Sequence, residues 1–128
     1  MNGKQKFFIC KTCKNLVGLI VDRNVPLVCC GAQMSELVAN TVEASIEKHL
    51  PLVSRSGNEL HVAVGNVLHP MEKAHHIAFV YMETEHGGQR KALNIGAKPA
   101  VSFCLTGDTP VAVYAYCNLH GLWKTEIE

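Results

Sequence analysis

The chain of 128 residues contains six cysteines and seven histidines, and thiolates and imidazoles are common ligands of transition metals in proteins. Cys10 and Cys13 have the spacing of a metal knuckle, in which a tight turn directs both sulfurs to one ion. Cys29 and Cys30 are adjacent, and a disulfide between neighbours is strained. Two ligands from each pair would complete a tetrahedral four-sulfur site, which suits zinc or a single iron. From spacing alone a structural zinc site is the simpler interpretation.

A second set of candidate ligands lies in the histidine-rich remainder of the chain. Cys117 and His120 are three residues apart in a predicted tight turn, so both can bind one metal ion, and this pair anchors the set. His49 and His69 lie in predicted loops next to strands, where sites are usually built. Adjacent strand residues point to opposite faces, so only one member of the pair His75-His76 can join a given site. The sequence therefore indicates a second metal site, with histidine and cysteine ligands.

Two other metals compete for this second site. Blue-copper loops also contain a cysteine and a histidine close together, but they require a weak axial methionine shortly after the histidine. Residues 121–128 contain no methionine, which disfavours copper. A closed zinc site in a structural or electron-carrier module is the remaining alternative to a reactive centre.

Four further residues are interpreted without a functional role. His61, inside a predicted strand, and His86, in a turn before two glycines, are ordinary surface or core histidines. Cys104 is interpreted as a buried thiol, which behaves as a small apolar side chain. Trp123 in the last predicted strand is interpreted as a core residue or as a cover over the histidine site.

Composition limits the classes of protein to which the chain can belong. Apolar residues make up 48% of the sequence, charged residues 18%, and the formal net charge is +1. These values predict a packed core and give no sign of a nucleic-acid footprint or a basic membrane anchor. No apolar run has the length of a signal-peptide core or a membrane span. We therefore expect a cytoplasmic protein, whose cysteines are metal ligands or thiols rather than disulfides.

The chain divides by composition into two predicted domains. Four of the six cysteines and none of the histidines precede residue 36, and we assign residues 1–36 to a small metal-binding module. A segment of this length cannot bury a useful core without a metal. Residues 37–128 form the second predicted domain, which holds all seven histidines.

The second domain is predicted to consist of β structure. Short segments that alternate apolar and polar residues are separated by turns rich in glycine, asparagine and proline, which is typical of an antiparallel β-sandwich. Glu36–Lys48 is ambiguous between an amphipathic helix and a loop, and Pro51 ends it. In the first domain Phe7–Ile9 and Leu16–Val21 are predicted strands. In the second they are Leu52–Ser54, Glu59–Val64, His75–Thr84, Gln89–Asn94, Ala100–Leu105, Val111–Cys117 and Leu122–Ile127.

Taken together, the ordered motifs resemble desulfoferrodoxin, the two-iron class of superoxide reductase. The resemblance covers essentially the whole chain, and the full set of motifs is far more specific than any one of them. The motifs are Cys10-x-x-Cys13 with Cys29-Cys30, Glu47-Lys48-His49, His69-Pro70, His75, and Cys117-Asn118-Leu119-His120.

The resemblance implies an all-β fold and two irons per chain. A desulforedoxin-like module would hold the first iron with Cys10, Cys13, Cys29 and Cys30. An immunoglobulin-like antiparallel sandwich would hold the second, with one cysteine on the iron's axis and four histidines in a plane. The segment that contains Glu47 and Lys48 would be a loop rather than a helix. The planar ligands would be His49, His69, His75 and His120, and the axial ligand Cys117.

The resemblance also implies a function. A superoxide reductase carries out the one-electron reduction of superoxide to hydrogen peroxide at a ferrous iron, and so removes superoxide from the cell. Four neutral imidazoles and one thiolate would leave that iron a net positive charge and one open coordination position. Lys48 would steer superoxide and orient a water for proton delivery, and Glu47 would cap the oxidised iron. The family is usually a homodimer, and its electron donor is often a rubredoxin.

Overall fold

The computed structural model describes residues 3–127 of the chain. These residues form two compact units, one comprising Lys4–Val38 and the other comprising residues 39–127 together with Gly3. The boundary predicted after Glu36 falls inside the first unit, because the backbone of Glu36 still pairs with that of Phe8. Across the described residues, no helix has the length and apolar character needed to span a membrane.

The first unit is a set of short strands around the four cysteines. Phe7, Cys10 and Met34 are its buried apolar residues among those described, so its core is very small. Strands β1 and β2 pair antiparallel, β5 pairs with the other edge of β1, and β3 and β4 form a separate hairpin. The strands are β1 (Lys6–Ile9), β2 (Leu16–Leu19), β3 (Val28–Cys29), β4 (Ala32–Gln33) and β5 (Ser35–Glu36).

The second unit contains two antiparallel sheets and confirms the predicted all-β sandwich. One sheet has the strand order β10-β7-β6 and the other the order β12-β11-β8-β9. Predicted and observed strand ends differ by a few residues, as is usual for element boundaries. The strands are β6 (Pro51–Ser56), β7 (Glu59–Val64), β8 (Ile77–Thr84), β9 (Gly87–Ala92), β10 (Ala100–Cys104), β11 (Pro110–Cys117) and β12 (Gly121–Glu126).

Alternation along the strands builds the sandwich core. In β7 Leu60, Val62 and Val64 are buried, whereas His61 and Ala63 between them are partly exposed. Burial of a side chain of this size stabilises the fold by about 1.5–3 kcal/mol. The core continues through both sheets and includes the fully buried Cys117. Core packing therefore reaches a predicted metal ligand.

The segment before β6 corrects one expectation. Residues 37–45 are irregular, but Ile46–His49 form one helical turn, α1, so the loop expected for Glu47, Lys48 and His49 is wrong. Ser45 makes no side-chain cap hydrogen bond, and a helix of four residues has no stability of its own in water. Contacts with the rest of the unit must therefore hold α1.

Cys104 is a second correction. The sequence predicts a buried thiol, yet Cys104 is exposed at the end of β10. Phe103, its neighbour, is fully buried in the core, and successive side chains of a strand point to opposite faces. The apolar neighbours of Cys104 in the sequence suggested burial, but the Phe103 ring occupies the inner face of the strand and leaves Cys104 on the outer face.

Candidate metal centres

The four sulfurs of the first unit lie together. The Sγ atoms of Cys10, Cys13, Cys29 and Cys30 are all within 4.8 Å of one another. The knuckle is closed by the Lys14 N–H, which donates to the carbonyl oxygen of Cys10 over 2.8 Å. Cys13 Sγ and Cys29 Sγ are 3.6 Å apart, close to the ~3.8 Å edge of a tetrahedron with metal–sulfur bonds of ~2.3 Å. This donor set fits a tetrahedral ion.

The adjacent cysteines occupy the tip of the β3–β4 hairpin. Cys29 ends β3, and the two residues between the strands are Cys30 and Gly31, with φ of +52° and +74°. Positive φ at both positions is the requirement of a type I′ turn. A residue with a Cβ atom pays a penalty for that conformation, so the hairpin carries strain where it turns the Cys30 sulfur into the cluster.

Backbone N–H groups favour a thiolate in this cluster. The Cys13 N–H donates to Cys10 Sγ over 3.5 Å, and this bond lowers the pKa of Cys10 to about 6. Hydrogen bonds within the sulfur cluster, first from Cys13, raise the pKa of Cys30 to about 12. Without a metal, one sulfur is therefore readily ionised while another retains its proton. A divalent metal that binds all four would displace the remaining protons.

The histidine–cysteine cluster lies at one end of the sandwich. His49 ends α1 before β6, His69 follows β7, His75 precedes β8 and Cys117 ends β11. Because the strands are antiparallel, the starts of β6 and β8 meet the ends of β7 and β11 at the same end of the fold. One ligand atom from each of these four residues lies within 4.8 Å of the others.

His120 brings a fifth donor to this cluster. It lies in the turn that joins β11 to β12, and its Nδ1 is 3.1 Å from His49 Nε2 and 3.9 Å from Cys117 Sγ. Its ring centroid is 5.2 Å from that of His75. All five residues that the sequence predicts as ligands of the second site therefore converge on one place.

Hydrogen bonds fix the protonation of two of the histidines. His49 Nδ1 is 2.6 Å from the carbonyl oxygen of Ser45, and His69 Nδ1 is 2.7 Å from that of Pro70. A carbonyl only accepts, so Nδ1–H donates in each ring and Nε2 keeps a bare lone pair. The two Nε2 atoms nevertheless face each other at 3.2 Å. Two lone pairs at this distance repel unless a cation lies between them.

A proton is a poor candidate for that cation. Burial lowers the pKa of His69 to about 4 and also lowers the pKa of His49, so both rings are neutral near pH 7. His75 Nε2 is buried without a hydrogen-bond partner among the described residues, and an unpaired buried polar atom is costly. A metal ion would satisfy all three nitrogens at once.

The number and spacing of the donors limit the metal. Two nitrogens at right angles on one ion, each ~2.1 Å from it, would be ~3.0 Å apart, close to the 3.1–3.2 Å observed between the imidazole nitrogens. A structural zinc site takes four ligands in a tetrahedron, and five donors converge here. The set fits an ion of higher coordination number.

The turn after β7 holds α1 in place. The Gly65 N–H donates to Leu50 O over 3.1 Å, and the Val67 N–H donates to Glu47 O over 3.2 Å. Gly65 has φ of +89°, and a Cβ atom there would lie 2.6 Å from Lys48 O and 2.4 Å from Val67 O. Only glycine allows this approach. One turn therefore holds α1 and also leads into the candidate ligand His69.

The two charged residues of α1 lie next to the cluster in different ways. Lys48 is exposed, and its charge contributes to the lowered pKa of both His49 and His75. Glu47 is exposed as well. In the described part of the chain its carboxylate is not one of the grouped ligand atoms. The Lys48 charge therefore acts on the histidines of the cluster, whereas Glu47 only lies near the cluster on the same helical turn.

The remaining histidines lie outside both clusters, as predicted. His61 Nδ1 contacts Ser102 Oγ at 2.7 Å, and His86 Nδ1 contacts Asp108 Oδ1 at 3.0 Å. His76 Nδ1 contacts a backbone carbonyl at 3.0 Å. From the sequence, Trp123 is interpreted as a core residue or as a cover over the histidine site, without a functional role. The structure packs its ring on His49.

Comparison with known proteins identifies the family. The model of the Desulfoferrodoxin family matches residues 41–126, a range that holds all five donors of the histidine–cysteine cluster. The chain belongs to the desulfoferrodoxin family.

Relatives of this family match the whole chain. A desulfoferrodoxin of Syntrophotalea carbinolica is 40% identical over 127 residues, which cover 98% of this chain and 99% of the relative. A desulfoferrodoxin of Nitratidesulfovibrio vulgaris is 36% identical over 126 residues, with the same two coverages. Such matches include the four-cysteine unit as well as the sandwich.

Solved structures of superoxide reductases share the fold. That from Treponema pallidum has a TM-score of 0.82 at 35% identity and covers 97% of this chain and 100% of that chain. A one-iron superoxide reductase from Giardia intestinalis has a TM-score of 0.55 at 28% identity and covers 64% of this chain and 98% of its own.

Proposed function

We propose that this protein is an iron-dependent superoxide reductase. Iron would occupy both metal sites, and superoxide would be reduced to hydrogen peroxide at the histidine–cysteine site. The observation that carries the proposal is the convergence of five donors, with two bare imidazole lone pairs 3.2 Å apart, beside the charge of Lys48. The fold shared with superoxide reductases adds support.

The donor set suits this chemistry. Ferrous iron at the site would supply the single electron that superoxide requires. The Cys117 thiolate would donate electron density to the metal, and the four imidazoles are neutral ligands. With one thiolate, a divalent ion there keeps a net charge of about +1 by ligand count, which attracts an anion.

The residues of α1 would control access and protons. The exposed Lys48 ammonium would draw superoxide toward the site, because a fixed charge beside an opening raises the association rate. It would also orient a water that delivers a proton to the departing product. Glu47 would cap the oxidised metal after product leaves, since a carboxylate is a hard oxygen ligand.

A closed zinc site is the competing function, and the donor count argues against it. Zinc in structural sites is four-coordinate, whereas a fifth donor, His120 Nδ1, lies 3.1 Å from His49 Nε2. The four-sulfur site is equally suited to zinc and to iron by geometry, and the family relationship supports iron.

Two further parts of the proposal come from the family resemblance. The electron donor would be a rubredoxin, and the protein would act as a homodimer. A cytoplasmic location is proposed from the sequence, because the cytoplasm keeps thiols reduced and cysteines there serve as metal ligands or free thiols. Sedimentation of the metal-loaded protein tests the dimer, and reduction by a purified rubredoxin tests the donor.

Metal analysis and pulse radiolysis test the central proposal. Protein prepared without oxygen should contain about two irons per chain, by ligand count, and should react with superoxide to give hydrogen peroxide without release of dioxygen. Cys117→Ser should abolish turnover and leave the four-sulfur metal in place. Stoichiometric zinc in the histidine site, or no reaction of the iron-loaded chain with superoxide, would refute the proposal.

The assignment of Glu47 has its own test. Glu47→Ala should shift the absorption band of the oxidised protein while the encounter rate with superoxide changes little. Glu43→Ala, at another exposed glutamate of the same segment, serves as the control. If the oxidised spectrum of Glu47→Ala equals that of the wild type across the pH range, Glu47 is not a ligand.

A further inference from the structure

Trp123 is the only tryptophan of the chain and lies in β12 beside the histidine–cysteine cluster. Its side chain is buried, with 2% of its surface exposed. The indole stacks on the imidazole of His49, with ring centroids 4.8 Å apart and an angle of 25° between the planes. Offset stacking at this distance is favourable for aromatic rings, so the indole limits the orientation that His49 can adopt.

The same indole also contacts the turn that carries His120 and follows Cys117. Trp123 Nε1–H donates to the carbonyl oxygen of His120 over 3.2 Å. This hydrogen bond joins the start of β12 to the turn after Cys117. One side chain therefore contacts ligands from two separate segments, α1 and the β11–β12 turn.

The weakness of α1 makes the stacking contact important. The helix has four residues and no side-chain cap, and its buried residue is His49. The indole therefore packs on the one side chain that anchors α1 in the unit. The large buried cluster of the sandwich core, which runs from Leu60 to Cys117, does not include Trp123.

We propose that Trp123 is a positioning residue of the histidine–cysteine site. It fixes the ring plane of His49 by stacking and the position of His120 by its N–H, so the ligands are arranged before metal binds. Because His49 anchors α1, Trp123 also sets the location of Lys48 beside the cluster. The inference rests on the proposed metal site and is independent of the reaction with superoxide.

Cobalt(II) binding to the metal-free full chain tests this role. The Nδ1–H protons of His49 and His69, which are hydrogen-bonded to carbonyls, should give paramagnetically shifted NMR signals when cobalt occupies the site. Trp123→Leu removes both contacts. It should weaken cobalt binding at the histidine–cysteine site about 10- to 100-fold, the usual cost of losing a residue that orients metal ligands. The shifted His49 signal should also move or broaden.

Trp123→Phe separates the two contacts. The phenyl ring can still stack on His49, but no N–H remains for His120 O. We expect a smaller loss of cobalt affinity than in Trp123→Leu, with the His49 signal nearly unchanged. This variant also keeps the inference testable if the leucine variant folds poorly.

Phe103→Leu is the matched control. Phe103 is a fully buried aromatic residue of the opposite sheet, so its truncation loosens packing without touching the Trp123 contacts. It should lower the melting temperature and leave the shifted signals and the cobalt affinity of the histidine site unchanged. An equal loss of affinity in Phe103→Leu, or wild-type binding and signals in Trp123→Leu, would overturn the inference. Absence of shifted histidine signals in the wild type would instead refute the proposed metal site.

Discussion

The two units of this chain support their metal sites in opposite ways. In Lys4–Val38 the apolar residues buried among those described are Phe7, Cys10 and Met34, and Cys10 itself belongs to the four-sulfur cluster. In the sandwich a continuous core reaches from one sheet to the other and includes Cys117. The first unit thus has very little buried apolar surface apart from its cysteines, whereas the second unit has a core of its own.

By this comparison, a metal in the first unit would build structure and a metal in the second would add chemistry. Ligands spaced closely along a short chain need the ion to balance the entropy of ordering the backbone. Candidate ligands at the end of a sandwich are already placed by strands, turns and hydrogen bonds, so an ion there would not be needed for the fold. Four predictions address this contrast.

The largest effect is expected from Cys13→Ser. Loss of one thiolate should release the metal of the first unit and unfold that unit, because structural metal binding contributes on the order of 10 kcal/mol in small metal-dependent domains. The sandwich should keep its iron and reduce superoxide. Metal content, backbone NMR spectra and pulse radiolysis measure the three outcomes. Loss of activity with the histidine site fully loaded would show that the two units do not work separately.

Gly65→Ala tests whether the sandwich places its ligands before metal binds. The new Cβ atom would lie 2.4 Å from Val67 O and 2.6 Å from Lys48 O, so α1 must move. We expect a destabilisation of about 3 kcal/mol and weaker metal binding at the histidine site. Gly96→Ala, with nearly the same φ of +86° but open space around the Cβ, should cost about 1 kcal/mol and leave metal binding intact. Urea unfolding and cobalt titration compare the pair, and equal effects would disprove that the turn holds α1.

Lys48→Ile tests whether the second site is open to an anion. Removal of the charge should slow the reaction with superoxide about tenfold and flatten its dependence on ionic strength, since the charge acts on association. Lys98→Ile removes an exposed lysine that is not named among the causes of the pKa shifts of the ligand histidines. Pulse radiolysis of both variants over a salt series is the measurement. If the rate and its salt dependence are unchanged in Lys48→Ile, the residue is an ordinary surface lysine.

The smallest effect is expected at the end of the sandwich opposite the histidine–cysteine cluster, where a side-chain hydrogen bond joins two segments. Thr84 Oγ1–H donates to Asp108 Oδ2 over 2.5 Å, and this bond, with a weaker contribution from His86, lowers the pKa of Asp108 below its usual 3.8. The folded state therefore holds Asp108 ionised when the unfolded state begins to protonate it. Stability from this group is present above pH 3.8 and is lost as the pH falls through the lowered pKa.

Asp108→Asn should accordingly flatten the acid side of the stability profile without any change in metal binding. Chemical unfolding at a series of pH values measures the stability profile. Asp22→Asn is the control: Lys6 also lowers the pKa of that carboxylate, but Asp22 lies in the first unit and not in the sandwich. If the stability of Asp108→Asn depends on acid pH as that of the wild type does, the ionised carboxylate does not stabilise this end of the sandwich.

The sequence by itself determined the candidate ligands, the family and the β architecture. Ligand type and local spacing are sequence properties, so Cys10-x-x-Cys13, Cys29-Cys30 and Cys117-x-x-His120 pointed to metal chemistry before any fold was known. Alternation of apolar residues in segments such as Glu59–Val64 predicted the strands, because the period of two follows from backbone geometry.

The tertiary structure alone decided what supports those ligands. The helical turn Ile46–His49 is held by contacts with distant segments. Val67 donates to Glu47 O within the turn, Gly65 donates to Leu50 O just after it, and Trp123 stacks on His49. No local pattern in the sequence encodes contacts between segments that far apart. Cys104 is exposed rather than buried because Phe103 fills the core, a choice between neighbours that depends on which strand face meets the opposite sheet. Such contacts form when the chain folds on itself, so their free energies cannot be read from residues in sequence order.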